Sequence, residues 1–342
     1  MRKLLSFVTT GILAAGLLAG CGNAANNTAD GGGKESEVKA KTFKLAHNMS
    51  EDHPVHKALA DFAEKVEENS DGQMKVEIFA NGVLGAEKEV LEQLQGGAVD
   101  MTKVSAAALE SFAPEYAVFS LPYLFVSKDH FYKSMESEAV QKLYGANKDK
   151  GFVGLTYYDS GARSFYTKDK VIKTPDDLKG LKIRVQDSPT AIEMIKLLGG
   201  NATPMAYGEV YTALQAGVID GAESNETALT TGKHGEVAKE FSINEHTMIP
   251  DILVMSATTW NSLSEEQQKI LTDAAAASTE YQKELWNKAI DEAITEAESK
   301  MDVKFTEVDK EPFIEKVKPM HEEYSKKDPN IKEIIEAIEA LK

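Results

Sequence analysis

Apolar and polar positions alternate along the chain in short strand-like runs separated by longer segments with helical spacing. Thr42–Ala46 (TFKLA) predicts a strand, and Val55, Leu59, Phe62, Ala63 and Val66 within His53–Glu68 share one helical face. Met74–Phe79 alternates as a half-buried strand, Glu87–Gln95 reads as a helix, and Val99–Val104 as another short strand. This β-α-β-α-β order predicts a mostly parallel sheet covered by helices. The rhythm returns with strands at Gly151–Tyr158, Lys182–Gln186 and Val218–Glu223 and helices at Ser188–Leu198 and Gly208–Gly217. Two such units predict two lobes with a cleft between them. Ser264–Met301 contains no Gly or Pro and opens with the S-x-x-Q form of a capping box. As one helix of about 37 residues it would run about 55 Å, enough to cross both lobes; two helices kinked near Ala274–Ala277 are the alternative.

The N-terminus breaks this pattern. Arg2 and Lys3 precede an apolar stretch, Leu4–Leu18, with the form of a secretory signal. It is shorter than the roughly 20 apolar residues a stable span needs. The stretch ends in Leu18-Ala19-Gly20-Cys21, which resembles the lipobox of bacterial lipoproteins, and Cys21 is the only cysteine in the chain. A single cysteine can form neither an intrachain disulfide nor a CxxC redox pair. Residues 1–20 are therefore expected to be a signal peptide, Cys21 the lipidation site, and 21–41 a polar, flexible tether that reaches about 25 Å. An ordinary signal peptide with an incidental cysteine is the other possibility.

Charge narrows the partners. The 342 residues carry Lys+Arg 38 against Asp+Glu 55, a net charge of −17, with no basic run. Such a chain is repelled by nucleic-acid phosphates. Among enzyme signatures there is no G-x-S-x-G, H-E-x-x-H or Walker loop. His47, His53 and His56 cluster after the first strand, and His53 and His56 could meet on a helix face as zinc ligands. Pro54 instead marks the first turn of that helix, so a capping or packing role for His53 is the simpler expectation, and no metal is assigned.

The informative chemistry lies between Tyr157 and Glu226. Arg163 follows the Gly151–Tyr158 strand, and Arg184 sits inside Lys182-Ile183-Arg184-Val185, with Ile183 and Val185 on the opposite face. A guanidinium held in a cleft presents paired N–H donors that match a carboxylate. For either arginine an internal ion pair is the alternative.

Here the sequence resembles a known family. Gly161-Ala162-Arg163, Thr174-Pro175-Asp176-Asp177-Leu178-Lys179-Gly180-Leu181-Lys182-Ile183-Arg184-Val185, Pro204-Met205-Ala206-Tyr207-Gly208-Glu209-Val210-Tyr211 and Val218-Ile219-Asp220-Gly221-Ala222-Glu223 resemble the TRAP transporter solute-binding proteins of the DctP type. So do Leu84-Gly85 and Gly97-Ala98-Val99-Asp100-Met101, and the resemblance runs from about Thr42 to Lys304. It implies an α/β, two-lobed, periplasmic-binding-protein-like (type II) fold with a long helix spanning both lobes. Lobe I is expected at 42–160 plus about 250–290, and lobe II at 161–249 plus about 291–342.

The resemblance implies a receptor, not an enzyme, with no cofactor. Such a receptor captures an organic acid and delivers it to the small and large permease subunits of an ion-driven transporter. Arg184 corresponds to the arginine that pairs with the ligand carboxylate, Arg163 to a second contact, and Tyr207 to an aromatic packed on the ligand. A frequent Asn after the Asp-Gly-x-Glu strand is replaced here by Ser224, with Asn225 next, so either could reach the ligand. First-lobe candidates are Asn48, Glu87, Lys88 and Ser105, at positions where an α/β sheet faces a crevice; Glu87 and Lys88 could equally be solvated surface charges.

A carboxylate such as Glu87 accepts from sugar hydroxyls and repels a small diacid. Together with the runs Leu84-Gly85-Ala86-Glu87-Lys88 and Asp100-Met101-Thr102-Lys103-Val104-Ser105, this resembles the family's sugar-acid binders more than its succinate binders, which implies a hexuronate such as glucuronate or galacturonate as the preferred ligand, with a C4-dicarboxylate (malate, succinate or fumarate) as the alternative. A monomer is expected, lipid-anchored on the outer face of the plasma membrane or in the periplasm. An ABC-type binding protein would share the two-lobe plan without these motifs, and a sensor partner of a membrane kinase would share everything read here.

Overall fold

The computed structural model describes residues 41–342; the expected signal peptide, Cys21 and the tether up to residue 40 lie outside the described residues. The strands are β1 (Lys41–Ala46), β2 (Met74–Phe79), β3 (Met101–Ser105), β4 (Phe152–Tyr158), β5 (Arg163–Thr167), β6 (Lys182–Val185), β7 (Asn201–Pro204), β8 (Gly221–Ser224), β9 (Glu240–Thr247), β10 (Asp251–Ser256) and β11 (Lys304–Glu307). They form a five-stranded sheet in the order β2-β1-β3-β10-β4 and a six-stranded sheet in the order β11-β9-β5-β8-β6-β7.

Both sheets are mixed where the sequence predicted mostly parallel pairing. β10 runs antiparallel to β3 and β4, and β5 antiparallel to β8 and β9. Parallel neighbours in one sheet need a crossover connection of about a dozen residues or more. The chain instead passes directly from β4 into β5 and from β9 into β10, changing sheets each time. The arriving strand has no crossover helix and enters antiparallel. These two crossings tie the sheets together.

In chain order the helices are α1 (Pro54–Asn69), α2 (Glu87–Gln95), α3 (Ala106–Leu109), α4 (Lys128–Met135), α5 (Glu138–Gly145), α6 (Pro189–Leu198), α7 (Val210–Gln215), α8 (Thr227–Thr230), α9 (Ala257–Asn261), α10 (Glu265–Met301), α11 (Glu311–Val317), α12 (Pro319–Lys327) and α13 (Pro329–Glu339). His53 is the N-cap of α1, its Nδ1 accepting from the Val55 N–H, while His47 Nε2 and His56 Nδ1 bond each other at 3.0 Å. Among the described residues no group of three or more metal-ligating side chains is gathered, and no helix is long and apolar enough to cross a membrane.

α10 is one continuous helix of 37 residues. Its capping box forms as predicted: Ser264 Oγ accepts from the Gln267 N–H at 3.2 Å, and Gln267 Oε1 from the Ser264 N–H at 3.1 Å. Leu271, Ala274 and Ala275 pack with α1 against the first sheet, and Ala297 packs in the core of the second. Between them Thr279 donates to the Tyr157 carbonyl, and Gln282 bonds both backbone groups of Asp159, which leads into the first crossing.

A third core is continuous between the sheets, running from Phe152 and Tyr116 through Ile183 and Met194 to Ile331 and Ile338. The C-terminal helices divide within it. α11 packs on α6, whereas α13 packs on α5 and the 114–120 turn beside the first sheet.

Candidate functional site

The cleft between the sheets collects residues from the carboxyl ends of β1, β4, β6 and β8, where an α/β sheet exposes loops and helix starts. Its narrow inner end is lined by Asn48, His53, Glu87, Ser160, Arg163, Arg184, Gln186, Tyr207, Ser224, Asn225 and Asp251. An outer cavity of about 390 Å³ continues from it, sharing Asn48, Glu87, Arg184, Gln186 and Tyr207 and adding Asn81, Lys88, Ser111 and Asp187.

Arg184 lies in β6 between β7 and β8, and the strand period sends Ile183 and Val185 into the apolar core while Arg184 faces the cleft. It is 3% exposed. Its Nε and Nη2 both donate to the Met205 carbonyl, at 3.1 and 2.9 Å, which fixes the fork. Among the described residues no carboxylate lies within ion-pair distance of it, and its Nη1 makes no hydrogen bond. Burial pushes this guanidinium below its ordinary value; Glu223 opposes that shift and the Arg163 charge adds to it.

Arg163 is the opposite case. Its Nε and Nη2 grip the Glu223 carboxylate, and Nη2 also donates to the Glu223 carbonyl at 2.6 Å. The internal ion pair left open for both arginines therefore describes Arg163 and not Arg184. Burial alone would raise Glu223; the Arg163 charge and a hydrogen bond from His246 overcome it and hold the carboxyl down to about 2.

Asn225 and Ser224 also separate. The Asn225 amide is engaged at both ends, donating to the Ser160 carbonyl at 2.9 Å and accepting from the Thr227 N–H and hydroxyl. The Ser224 hydroxyl makes no hydrogen bond among the described residues and lines the cleft. Tyr207 presents its ring to the cleft, packed 5.3 Å from the His234 ring.

On the first-sheet side, Asn48 and Glu87 line the cleft and Lys88 its outer part, where Lys88 Nζ stands 3.7 Å from Asp187 across the opening. Ser105 is not at the cleft: its hydroxyl caps α3 by accepting from the Ala107 N–H, and its own N–H donates to Glu87 at 3.1 Å. It positions Glu87.

Sequence reasoning missed Lys103. This lysine is 0% exposed and donates to Asp251 at 3.1 Å and Asn48 at 3.2 Å, with Glu87 at 3.7 Å. Burial raises the Glu87 pKa; Lys103 opposes the rise and Asp251 adds to it. The signal was present: a lysine inside a strand covered on both faces has no route to water and must meet acids.

A small anion can therefore be held by Arg184 at one wall, while hydroxyl-bonding groups, Asn48, Glu87, Gln186 and Ser224, surround the remainder. The Gln186 Oε1 is buried with no hydrogen-bond partner among the described residues.

The model of the bacterial extracellular solute-binding proteins, family 7 (DctP), matches residues 45–328. The chain belongs to this family. DctP proteins are receptors that bind small acids outside the cytoplasm and work with membrane permease subunits. The chain is 47% identical over 270 residues, 79% of this chain and 83% of the relative, to the uncharacterized protein YiiZ of Salmonella typhimurium. Two solved TRAP periplasmic solute-binding proteins share the fold. That of Anaerococcus prevotii, with bound α/β-D-glucuronate, is 39% identical with a TM-score of 0.86, covering 88% of this chain and 98% of its own. That of Sulfitobacter sp. NAS-14.1, with bound β-D-galacturonate, is 37% identical with a TM-score of 0.84, covering 87% and 99%. The two-lobed architecture with its long helix, expected from sequence, is thus that of the DctP receptors.

Proposed function

We propose that this DctP receptor captures a hexuronate, glucuronate or galacturonate, in the cleft and delivers it to a TRAP permease without chemical change. The observation that carries the reading is Arg184, a buried, oriented guanidinium whose counter-charge is not supplied from within the described protein. A ligand carboxylate supplies it through Nη1 and the cleft-facing edge. Arg163, bound to Glu223, adds positive potential; Ser224 offers its hydroxyl, Tyr207 its ring, and Asn48, Glu87 and Gln186 partners for sugar hydroxyls.

The outer cavity of about 390 Å³ falls within the range of small-molecule sites, about 300–1,000 Å³, and its polar lining suits the hydroxyls of a sugar acid. The Glu87 and Asp251 carboxylates at the inner end would oppose a second ligand charge. The bound uronates of the Anaerococcus and Sulfitobacter proteins agree with this choice.

A thermal-shift screen across uronates, aldonates and C4-dicarboxylates tests it. A ligand at 100 times its Kd adds about 2.7 kcal/mol. Stabilisation by glucuronate or galacturonate is expected; a response confined to neutral sugars or to dicarboxylates would overturn the reading.

Our reading further takes the lobes to be 42–160 plus about 250–290 and 161–249 plus about 291–342, with α13 at the end of the second lying back against α5 of the first, and the protein to be a monomer anchored through Cys21 after loss of residues 1–20. The lipobox-like run supports the anchor. Palmitate-analogue labelling should mark the parent and not Cys21→Ala.

A further inference from the structure

A second cavity, about 510 Å³, lies on the reverse side of the sheet crossings. This is within the range of small-molecule sites, about 300–1,000 Å³. All three connections between the sheets border it: Asp159, Gly161 and Ala162 from the β4–β5 crossing, Met248 from the β9–β10 crossing, and Trp286 and Ile290 from α10. Only a thin wall parts it from the ligand cleft. Ser160 and Asn225 face the cleft, their neighbours Gly161 and Glu226 face the rear cavity, and Asn225 ties the two segments by its bond to the Ser160 carbonyl. Gly161 holds a left-handed φ of +66°, and a Cβ there would stand 3.3 Å from the Trp286 ring.

The rear cavity has a defined chemistry. Its aromatic walls are Tyr123, Phe125 and Trp286. Its charges are Asp159, Glu226 and Glu245 against Lys128 and Lys310, one more acid than base. Lys310 pairs with Glu245, and Lys128 stands 3.7 Å from Asp159 and bonds Asn287. Among the described residues Glu226 has no cationic partner. Burial, with Glu245 nearby, raises it to about 7. Trp286 is 1% exposed, and its indole N–H makes no hydrogen bond among the described residues. An unpaired carboxylate beside aromatic faces is the pattern that holds an ammonium group, and a free N–H donor adds a place for an acceptor.

We propose that this rear cavity is a second binding site for a small organic cation carrying a hydrogen-bond acceptor, and that its occupancy is linked to ligand capture in the cleft. The linkage rests on the receptor reading above; the site does not. A cation seated there touches all three connections whose geometry sets the angle between the sheets, so it favours whichever angle leaves it room. By reciprocity, the factor by which it changes uronate affinity is the factor by which uronate changes its own.

Choline, a quaternary ammonium with a hydroxyl, is the probe, and 3,3-dimethylbutan-1-ol its uncharged counterpart. Calorimetry on the full chain should detect choline and not the alcohol, more tightly at pH 8 than at pH 6. Glu226→Gln should weaken choline at least about tenfold, the scale of one lost charge contact. Ile290→Trp, which fills the cavity without touching its charges, should abolish choline binding, and carries the test if Glu226→Gln does not fold. Equal binding of choline and the alcohol, no choline binding at millimolar concentration, or undiminished choline binding by Ile290→Trp would overturn the site. Choline binding that leaves glucuronate affinity unchanged would overturn the linkage. Choline binding with no uronate binding would leave the site standing and sink the receptor reading.

Discussion

Arg163 and Arg184 lie on neighbouring parts of one sheet, both nearly without exposure, yet their surroundings follow opposite rules. Arg163 is closed on itself: Glu223 takes its Nε and Nη2, His246 stacks on Phe165 and reaches the same carboxylate, and the group is part of the fold. Arg184 is anchored only by a backbone carbonyl and keeps its charge open toward the cleft. A buried charge with an internal partner stabilises structure, whereas one without a partner is a standing demand for an anion from outside. The same residue type, similarly buried, is thus neutralised within the fold in one place and left open to the cleft in the other.

The sharpest way to break this contrast is at Glu223. Glu223→Gln leaves Arg163 buried without its counter-charge, and a loss of about 3–5 kcal/mol is expected, read from urea denaturation; a change under about 1 kcal/mol would put Arg163 in the same class as Arg184. pH offers a second route. The Glu223 carboxyl falls from 4.5 to about 2 in the folded protein. Its stabilisation is therefore complete above about pH 4.5 and is lost as pH falls through about 2, roughly 3 kcal/mol in all at about 1.4 kcal/mol per unit. Glu223→Gln should show a shallower acid limb than the parent.

Arg184→Ala should behave conversely, with uronate affinity falling by about 2–5 kcal/mol while denaturation without ligand moves by less than it does for Glu223→Gln, because the side chain removed carries a buried charge without a counter-charge. A large loss of stability with affinity intact would reverse the roles of the two arginines. The smallest effect belongs to Lys88 and Asp187 at the mouth. Their exposed pair is worth about 0.2–1 kcal/mol and is screened by salt. Lys88→Ala should weaken uronate binding severalfold at most, and the difference should vanish at high ionic strength.

How much of this was legible in the sequence follows from range. β2 and α2 match their predicted bounds, and the cap of α10 was readable because capping is a local exchange between residues three apart. β3 and β8 begin two to three residues later than predicted, because Val99 and Val218–Asp220 are apolar or turn positions before the ladder starts. β5, β7 and β9–β11 went unread. β7 is four residues without alternation, and β10 is buried throughout, so neither shows a period. At the site, Arg184 was visible as a charge misplaced in an apolar strand. Its difference from Arg163 was not, since Glu223 is 60 residues away and only the pairing of β5 with β8 brings it across. Lys103 and Asp251 meet over 148 residues through the antiparallel entry of β10, the feature the parallel expectation excluded. Ser105 stood at the right end of the right strand, but its hydroxyl had a nearer use at the start of α3.

α10 sets a mechanical limit on the receptor. A single rod held along one end by α1 and at the other by the second core, and stitched at mid-length to the first crossing through Gln282, cannot act as a free pivot. Any change in the angle between the sheets flexes it, and a flexed rod pushes back. A closure of the cleft would therefore have to bend this helix or shift one of its anchored ends.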